Sequence, residues 1–472
     1  MLWTIARKEL SELGRDRSVV AVLATYVMML SISCAVSQWI WAERASAQAS
    51  RQYAAREDWL NQPTQSPHQA THRGTVVYKC PSPLAGVDSG VAPELGTEIR
   101  LEAHQRHETV NSARDNHVRM LRLDFITPAL LLQGVSPLVI ILISHGLMSR
   151  EHEQGTWGLL ASVGLTWRKA VFGKWLAVYC VAVGLSTPVL LTLISTVIWS
   201  PRGIEMSSQE LAVRAAALYG SNLLYLAGWC AVGTALSARF SAGTSFVLLI
   251  SCWAIWTLIL PRLAVDLADS RFPLPDEHSL RDSRATAVRQ GSDGRHSLQE
   301  FNAALEQGLL QKYGVAKLSD LPIDLRAARL LAGEKFTNAL DDRAERQISE
   351  IFQQQYRVVE DLVWFSPYLS IRSISSALAG TDRGHHDTFI NAAEQYRRAF
   401  VESMNTAEME RQFPGTDAAA ARAFWSQVPE FQQHFPSATT VLSAHRRSLA
   451  GLFFWCLALA MLALLLPRGG LS

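Results

Sequence analysis

Apolar positions gather into six nearly charge-free runs: Ser18–Trp41, Ile126–Met148, Leu176–Ser200, Ala215–Ser237, Thr244–Leu263 and Ser448–Leu466. Each is about 19 to 25 residues long, the length an α-helix needs to cross a hydrocarbon layer of roughly 30 Å. None shows the polar face that a soluble helix of that length carries. The fifth run is the least regular, because Pro261 and Arg262 sit near its end. The pattern predicts an all-α polytopic membrane protein with six transmembrane helices. Ala45-Ser46-Ala47 has the form of a signal-peptidase site, but the run before it exceeds the about 7 to 15 residues of a signal h-region. An uncleaved first span is expected.

Polar sequence is divided unevenly among the spans. Residues 42–125 and 264–447 are long segments, whereas 149–175, 201–214 and 238–243 are short connections. In the second long segment, "SLQEFNAALEQGLLQKYG", "KFTNALDDRAERQISEIFQQQYRVVEDLVWF" and "FINAAEQYRRAFVESMNTAEMERQF" have helical apolar spacing. "RDSRATAVRQGSDGRHS" reads as a mobile loop. The first long segment combines a helical "RASAQASRQYAAREDWLNQ" with "RGTVVYKCPSPLAGVDSGVAP", which predicts a short strand and turns. The fold expected is thus a helical bundle with a mainly helical outer domain and a little β structure in the first insertion. Five of the six cysteines lie inside spans and only Cys80 outside, so neither long segment can be stapled internally by a disulfide.

Charge then orients the spans. Arg7, Lys8, Arg15 and Arg17 precede the first span; Arg150, Arg168, Lys169 and Lys174 follow the second; Arg239 and Arg468 fall on the same side. The opposite short connection carries Arg202 and Arg214. Because the basic-residue bias counts short loops and span flanks, both termini and 149–175 are expected in the cytoplasm and both long segments outside. A net charge of +2, with no arginine–aromatic interleaving, argues against a nucleic-acid partner.

Candidate chemistry within the chain is sparse. No G-x-x-x-x-G-K-[ST] pattern is present, since Gly173-Lys174 is followed by Trp175 and lacks the upstream glycine. No ATP site is expected in this chain. Apart from Arg262, the spans carry no Asp, Glu, Lys or Arg, so an ion relay is not expected either. His145 reads as a satisfied interfacial histidine. A spanning protein with neither fuel site nor relay must draw energy from a partner. The stretch "EHEQGTWGLLASVGLTWRKAVFGKW", residues 151–175, has the form of a contact. Gly155 and Gly164 bracket a short helix with Trp157, Leu160 and Ala161 on one face, flanked by Glu151, Glu153 and Arg168. Resting on lipid headgroups is its plain alternative.

These residues resemble the permeases of type 2 ABC transporters. In that family E-x-x-x-G-T, a leucine-rich turn and a later G-K join the second and third spans, and Glu151, Gly155, Thr156, Leu159, Leu160, Gly173 and Lys174 match. The N-terminal "IARKELSELGRDRS" is similar to the family's interfacial elbow helix, with Arg7, Lys8, Glu9, Leu10 and Arg15 in place. The resemblance implies that 1–17 is an elbow and that 149–175 contains a coupling helix. It also implies that cytoplasmic ABC ATPase subunits hold the ATP and magnesium, that a second permease copy completes a homo- or heterodimer, and that the site is a bacterial inner membrane. "SPHQATHRGTVVYKCPSPLAGVDSGVAPELGTEIRLEAH" and "SPYLSIRSISSALAGTDRGHHDTFINAAEQYRR" are similar to the subgroup with two large extracytoplasmic insertions, related to permeases of nitrous-oxide-reductase maturation and gliding motility. The function implied is export, or mechanical work on an extracytoplasmic partner. The alternative is a non-transporting scaffold or sensor whose outer helical domain binds a protein.

Within the outer segments, Ser366, Pro367, Gly380, Thr381, Asp382 and Glu394 are candidate docking residues, although Asp382 also reads as a turn cap. Eleven of the thirteen histidines lie there, including His68, His72, His104, His385 and His386. His68 and His72 have the H-x-x-x-H spacing of metal ligands on one helical face. Pro67 and Gly74 argue against a regular helix, and no second cluster is bound to the pair by sequence. No metal site is assigned, and no nucleophile–base–orienter set can be assembled.

Overall fold

In the computed structural model, which describes residues 2–63, 66–107, 109–110, 126–199, 206–290, 297–414 and 417–465, the chain begins with an amphipathic helix, α1 (Leu2–Arg15). Asp16 ends it and caps the next, its carboxylate accepting the amides of Ser18 and Val19 at 2.9 and 3.3 Å. From there α2 runs from Arg17 to Leu60 without a break. The expected first span ended at Trp41, but no glycine or proline intervenes before Asn61, so helix and span are one element. A short helix, α3 (Pro67–Arg73), leads into an antiparallel sheet of β1 (Thr75–Tyr78), β2 (Glu98–Glu102) and β3 (Gln105–Arg106). Val77 lies opposite Ile99, and both side chains are buried. The strand expected at Val-Val-Tyr is β1.

The apolar elements follow. Helix α4 (Pro128–Glu153) spans the second run, and a short helix, α5 (Thr156–Ser162), lies beyond it. The third run is a bent pair, α6 (Trp167–Leu185) and α7 (Thr187–Ile198), with a 46° break ahead of Pro188. Next come α8 (Ser208–Arg239) and α9 (Ala242–Arg271). Among the described residues, five helices are long and apolar enough to cross a membrane: α2, α4, α8, α9 and the C-terminal helix described below. The pair α6–α7 meets that test only when taken together.

Two of these helices widen by one turn, at Leu131–Val135 and at Ile255–Ile259, just ahead of Pro137 and Pro261. Proline has no N–H, so the carbonyl four residues earlier is released. In α4 that carbonyl belongs to Gln133, and the Tyr225 hydroxyl donates to it at 2.8 Å. Gly134 O accepts from the Trp253 indole at 2.8 Å, and Leu131 O from the Tyr26 hydroxyl at 3.3 Å. The loosened backbone is thereby satisfied by other helices of the bundle, as an apolar surrounding requires.

The remaining helices are α10 (Glu277–Gln290), α11 (Leu298–Tyr313), α12 (Leu325–Leu362), α13 (Pro367–Ala379), α14 (Arg383–Met409), α15 (Ala418–Trp425), α16 (Ala438–Ala444) and α17 (Arg446–Leu465), the last being the sixth apolar run. With 78 % helix and 3 % strand, the all-α reading holds at this level. The three helical stretches expected here are α11, α12 and α14. The stretch "RDSRATAVRQ", expected to be a loop, is the body of α10. Its Ala and Arg content favours helix, and Asp276 accepts the Ser279 amide at 2.6 Å to start it. Residues 291–296 of the expected loop lie outside the described residues.

The two polar segments form one domain. Trp59, Ala103, Phe400, Met404, Phe424 and Trp425 share a core, so the end of α2 packs directly against α14 and α15. Trp59 meets Phe400 edge-on at 4.9 Å between centroids, and its indole donates to Trp425 O at 3.1 Å. Ile371, Ile374, Leu378 and Ala379 of α13 belong instead to the core of the apolar helices. Helix α13 therefore inserts the polar domain into the bundle.

Close helix approach within the bundle is set by Gly233 of α8, where an added Cβ would overlap the Ser144 side chain of α4. Gly233→Val is expected to cost about 1–3 kcal/mol or more by overpacking. Gly220→Val, on the same helix with nothing within 4 Å of the site, is expected to change little. Thermal unfolding in detergent compares the two, and equal midpoints would remove this account of the packing.

Candidate functional site

The first site is built around a lysine two turns into α6. Lys174 is 2 % exposed, and its ammonium donates to Glu9 Oε1 at 2.9 Å, Glu151 Oε1 at 2.9 Å and Leu147 O at 2.8 Å. Three donors meet three acceptors, so the buried charge is fully satisfied. Lys8 sits across the same carboxylates, 3.5 Å from Glu9, 3.2 Å from Glu12 and 3.6 Å from Glu151. Burial alone would lower the Lys8 ammonium, but Glu9, Glu12 and Glu151 outweigh it and raise it above the usual lysine range. The neighbouring Gly173 is what lets α1 approach: a Cβ there would lie 2.9 Å from Ile5 Cβ. Gly173-Lys174 is a packing notch followed by an ionic anchor.

The anchored segment then folds back through α5. Gly155 and Gly164 adopt φ of +71° and +83°, a left-handed conformation that side chains disfavour. Thr156 Oγ1 donates to Glu151 O at 3.1 Å, bracing the turn between α4 and α5. Trp157 is buried, edge-on to Trp167 at 5.6 Å and tilted against His152 at 5.3 Å. Leu160 is half-buried beside it. Glu153 reaches the start of α9, accepting the Ala242 amide at 2.9 Å. Met148 and Ser149 donate to Ser237 Oγ of α8 at 2.8 and 3.3 Å.

Of the residues read as contacts, Glu151, Glu153, Trp157 and Lys174 are thus engaged within the chain, where they shape the loop. The outward features are Leu159 and Val163, each 71 % exposed, with Arg168 beside them at the start of α6. Leu159 belonged to the matched pattern; Val163 was missed, although its i, i+4 spacing from Leu159 is the available signal. In α1, Arg7 and Arg15 are exposed while Glu9 is buried.

At the far end of the bundle a second cation plays the same part. Arg214 in α8 is fully buried, donating to Glu210 Oε1 at 2.8 Å, Leu378 O at 3.3 Å, His385 Nε2 at 3.3 Å and Pro436 O. His385 Nδ1 donates to Asp382 at 2.5 Å, and His445 Nε2 lies 3.3 Å from the other oxygen of that carboxylate. The Tyr356 and Ser373 hydroxyls each lie 2.9 Å from His445 Nδ1. Burial would raise the Asp382 carboxyl, but the histidine hydrogen bonds dominate and hold it well below the usual carboxylate range.

Of the six residues read as a docking surface, five are buried and Asp382 is half-buried. Ser366 caps α13 and donates to Trp256 O at 2.8 Å; Pro367 is buried in its first turn. Gly380 ends α13 at φ +72°, and Thr381 is buried behind it. Asp382 caps α14, accepting the His385 amide at 3.1 Å. Glu394 is buried, accepting from Arg397 at 2.8 Å and Arg398 at 2.7 Å. His145 donates locally to Leu142 O at 2.9 Å, as its plain reading expects.

Two outcomes test this description. Removing Lys174 leaves Glu9 and Glu151 with only the more exposed Lys8 at 3.5 and 3.6 Å, so Lys174→Ala is expected to cost up to about 3–5 kcal/mol and to loosen α1. Hydrogen exchange in α1 should rise well before global unfolding; unchanged protection would remove the anchor. The second concerns His386, buried 3.4 Å from the Lys79 ammonium. Burial first, then Lys79 and Arg383, pushes its imidazole down to about 3 from 6.5. The unfolded chain therefore takes up the proton first as pH falls, and stability is lost between 6.5 and about 3. Unfolding midpoints at about pH 7 and about pH 4.5 should differ less in His386→Gln than in the wild type.

Residues 283–434 match a protein family described as a domain of unknown function, DUF3526, which takes in α11 to α15 but less than half of the chain. No curated protein matches the chain.

Proposed function

We propose that the chain is the membrane-spanning permease subunit of a type 2 ABC transporter. In this reading both termini and α5 lie in the cytoplasm and the polar domain lies outside. Separate ATPase subunits, carrying ATP and magnesium, receive α5, and a second permease copy completes the assembly. ATP hydrolysis would drive export of a substrate or mechanical work on an extracytoplasmic partner.

One observation carries the reading. The Lys174 cluster fixes α1 and the loop to each other, and on that fixed base Leu159 and Val163 form an exposed apolar tip. A loop that merely connected two spans would not need a buried three-way ionic anchor. A loop that takes a push from a partner does, because the push must reach the helices behind it. The basic flanks of α1 and α6 support the cytoplasmic side for this end.

Co-expression with the ABC ATPase subunit encoded nearest to the chain, purification in detergent and assay of ATP turnover test the reading. The ATPase is expected to co-purify with the intact chain. Leu159→Asp with Val163→Asp should weaken capture by about tenfold or more, corresponding to about 1.4 kcal/mol lost from a small exposed hot spot. An intact chain that captures no ATPase and supports no turnover would end the transporter reading. Undiminished capture by the double variant would move the contact away from α5.

A further inference from the structure

The geometry points to a transition-metal site in the polar domain, made by the imidazoles of His68, His72 and His104. The residues that seemed to argue against a helix at His68 build one: Ser66 accepts the Gln69 amide at 3.3 Å, Pro67 takes the first position, and Gly74 closes α3 at φ +64°. A regular α3 puts His68 and His72 one turn apart on one face. His104 arrives from the turn between β2 and β3, which is pinned to α3 where the Ala103 amide donates to Thr71 O at 3.1 Å.

The three rings converge. Centroids are 4.8 Å apart for His68–His72, 5.1 Å for His72–His104 and 5.5 Å for His68–His104. One ring nitrogen from each lies within 4.8 Å of the others. His68 Nε2 and His72 Nε2 are 3.2 Å apart. Two tetrahedral ligands at about 2.0–2.1 Å from zinc lie about 3.4 Å apart, so this pair already spans one edge of a coordination tetrahedron.

Two of the three outer nitrogens, those of His68 and His104, are held as metal-binding histidines require. His68 Nδ1 lies 2.8 Å from Asn405 Oδ1, and His104 Nδ1 lies 2.6 Å from Glu334 Oε1. A carboxylate can only accept, so His104 holds a proton on Nδ1, and Nε2 is the nitrogen that would take a metal. The same Glu334 oxygen accepts the His104 backbone amide at 2.6 Å, where that residue adopts φ +62°, a left-handed conformation uncommon outside glycine. Glu334 is itself buried, 3.5 Å from Arg397. Glu334 on α12 and Asn405 on α14 thus brace ligands that come from a different segment of the chain.

The donor set selects the ion. Three imidazoles without thiolate suit zinc, copper or nickel, not the hard ions magnesium and calcium. His72 is exposed, so a fourth position opens to solvent, the form of a site that keeps an exchangeable ligand.

The test uses the full chain in detergent, any affinity tag removed and the protein stripped with a chelator. Titration with Zn2+ followed by calorimetry is expected to give one ion per chain, with no response to Mg2+. Co2+ in place of zinc should give the intense visible absorption of four-coordinate geometry in the wild type. His72→Ala and His104→Ala should abolish binding at one equivalent. Glu334→Gln, which keeps an acceptor but loses the charge, should weaken it about 10- to 100-fold. No zinc uptake by the wild type, six-coordinate cobalt, or equal affinity in His72→Ala and His104→Ala would each overturn the site. His72 is exposed, and its variant's unfolding midpoint without metal separates lost binding from lost folding.

Discussion

A buried cation can be kept inside a helical bundle only where several acceptors reach it, and the chain meets that constraint twice. Lys174 and Arg214 sit where apolar runs meet polar sequence, each almost without solvent contact. Stripping water from one such ion costs several kcal/mol even after relaxation. The acceptors that offset this cost come from other elements, so each cation dictates where those elements lie. Lys174 brings α1 and the start of the loop together through Glu9 and Glu151. Arg214 brings Leu378, His385 and Pro436 of the polar domain onto α8. The two ends of the bundle are defined by these ions more than by any surface feature.

The polar domain shows the same economy in its assembly from distant segments. Asp88, fully buried, accepts from Ser375 at 2.5 Å and pairs with Arg372 at 3.3 Å, fastening the first segment to α13. Trp59 and Trp425 join the end of α2 to α15. The first segment does not close its core alone: the sheet buries Val77, Ile99 and Leu101 against Phe389 and Ala393 of α14. The residues matching the DUF3526 family therefore supply the framework on which the first segment completes itself.

Much of the bundle was legible in the sequence because a long charge-free run folds as a spanning or fully buried helix and as little else. Helix ends were not, since they depend on what fails to interrupt a run: α2 passes Trp41 because nothing stops it before Asn61. Glycine and proline misled where position mattered more than identity. Pro67 and Gly74 read as breakers and proved to be the first residue and the cap of α3, whereas Pro137 and Pro261 lie inside apolar runs and open them locally. Lysine and arginine were legible as charge but not as structure. Lys174 and Arg214 counted in the topology rule, and nothing in their neighbours along the chain announced burial. His104 belonged to no motif, since its brace Glu334 lies 230 residues further along the chain.

The bundle combines helices with local breaks and helices without them. Helices α4 and α9 are widened ahead of a proline, and α6–α7 bend by 46°. In contrast, α2 and α8 are continuous over 44 and 32 residues. At about 1.5 Å per residue these rods reach roughly 65 and 50 Å. Helix α2 begins beside the α1 anchor and ends at Trp59 in the core of the polar domain. Helix α8 accepts the loop at Ser237 and clamps the polar domain at Arg214. In the proposed reading, a displacement at α5 would reach the polar domain along two rods whose far ends are both fixed, while the three softened helices would absorb the change in packing between them. If the rods tilted independently, the Arg214 network would have to part, leaving a buried guanidinium unpaired. In that reading the polar domain would follow α8.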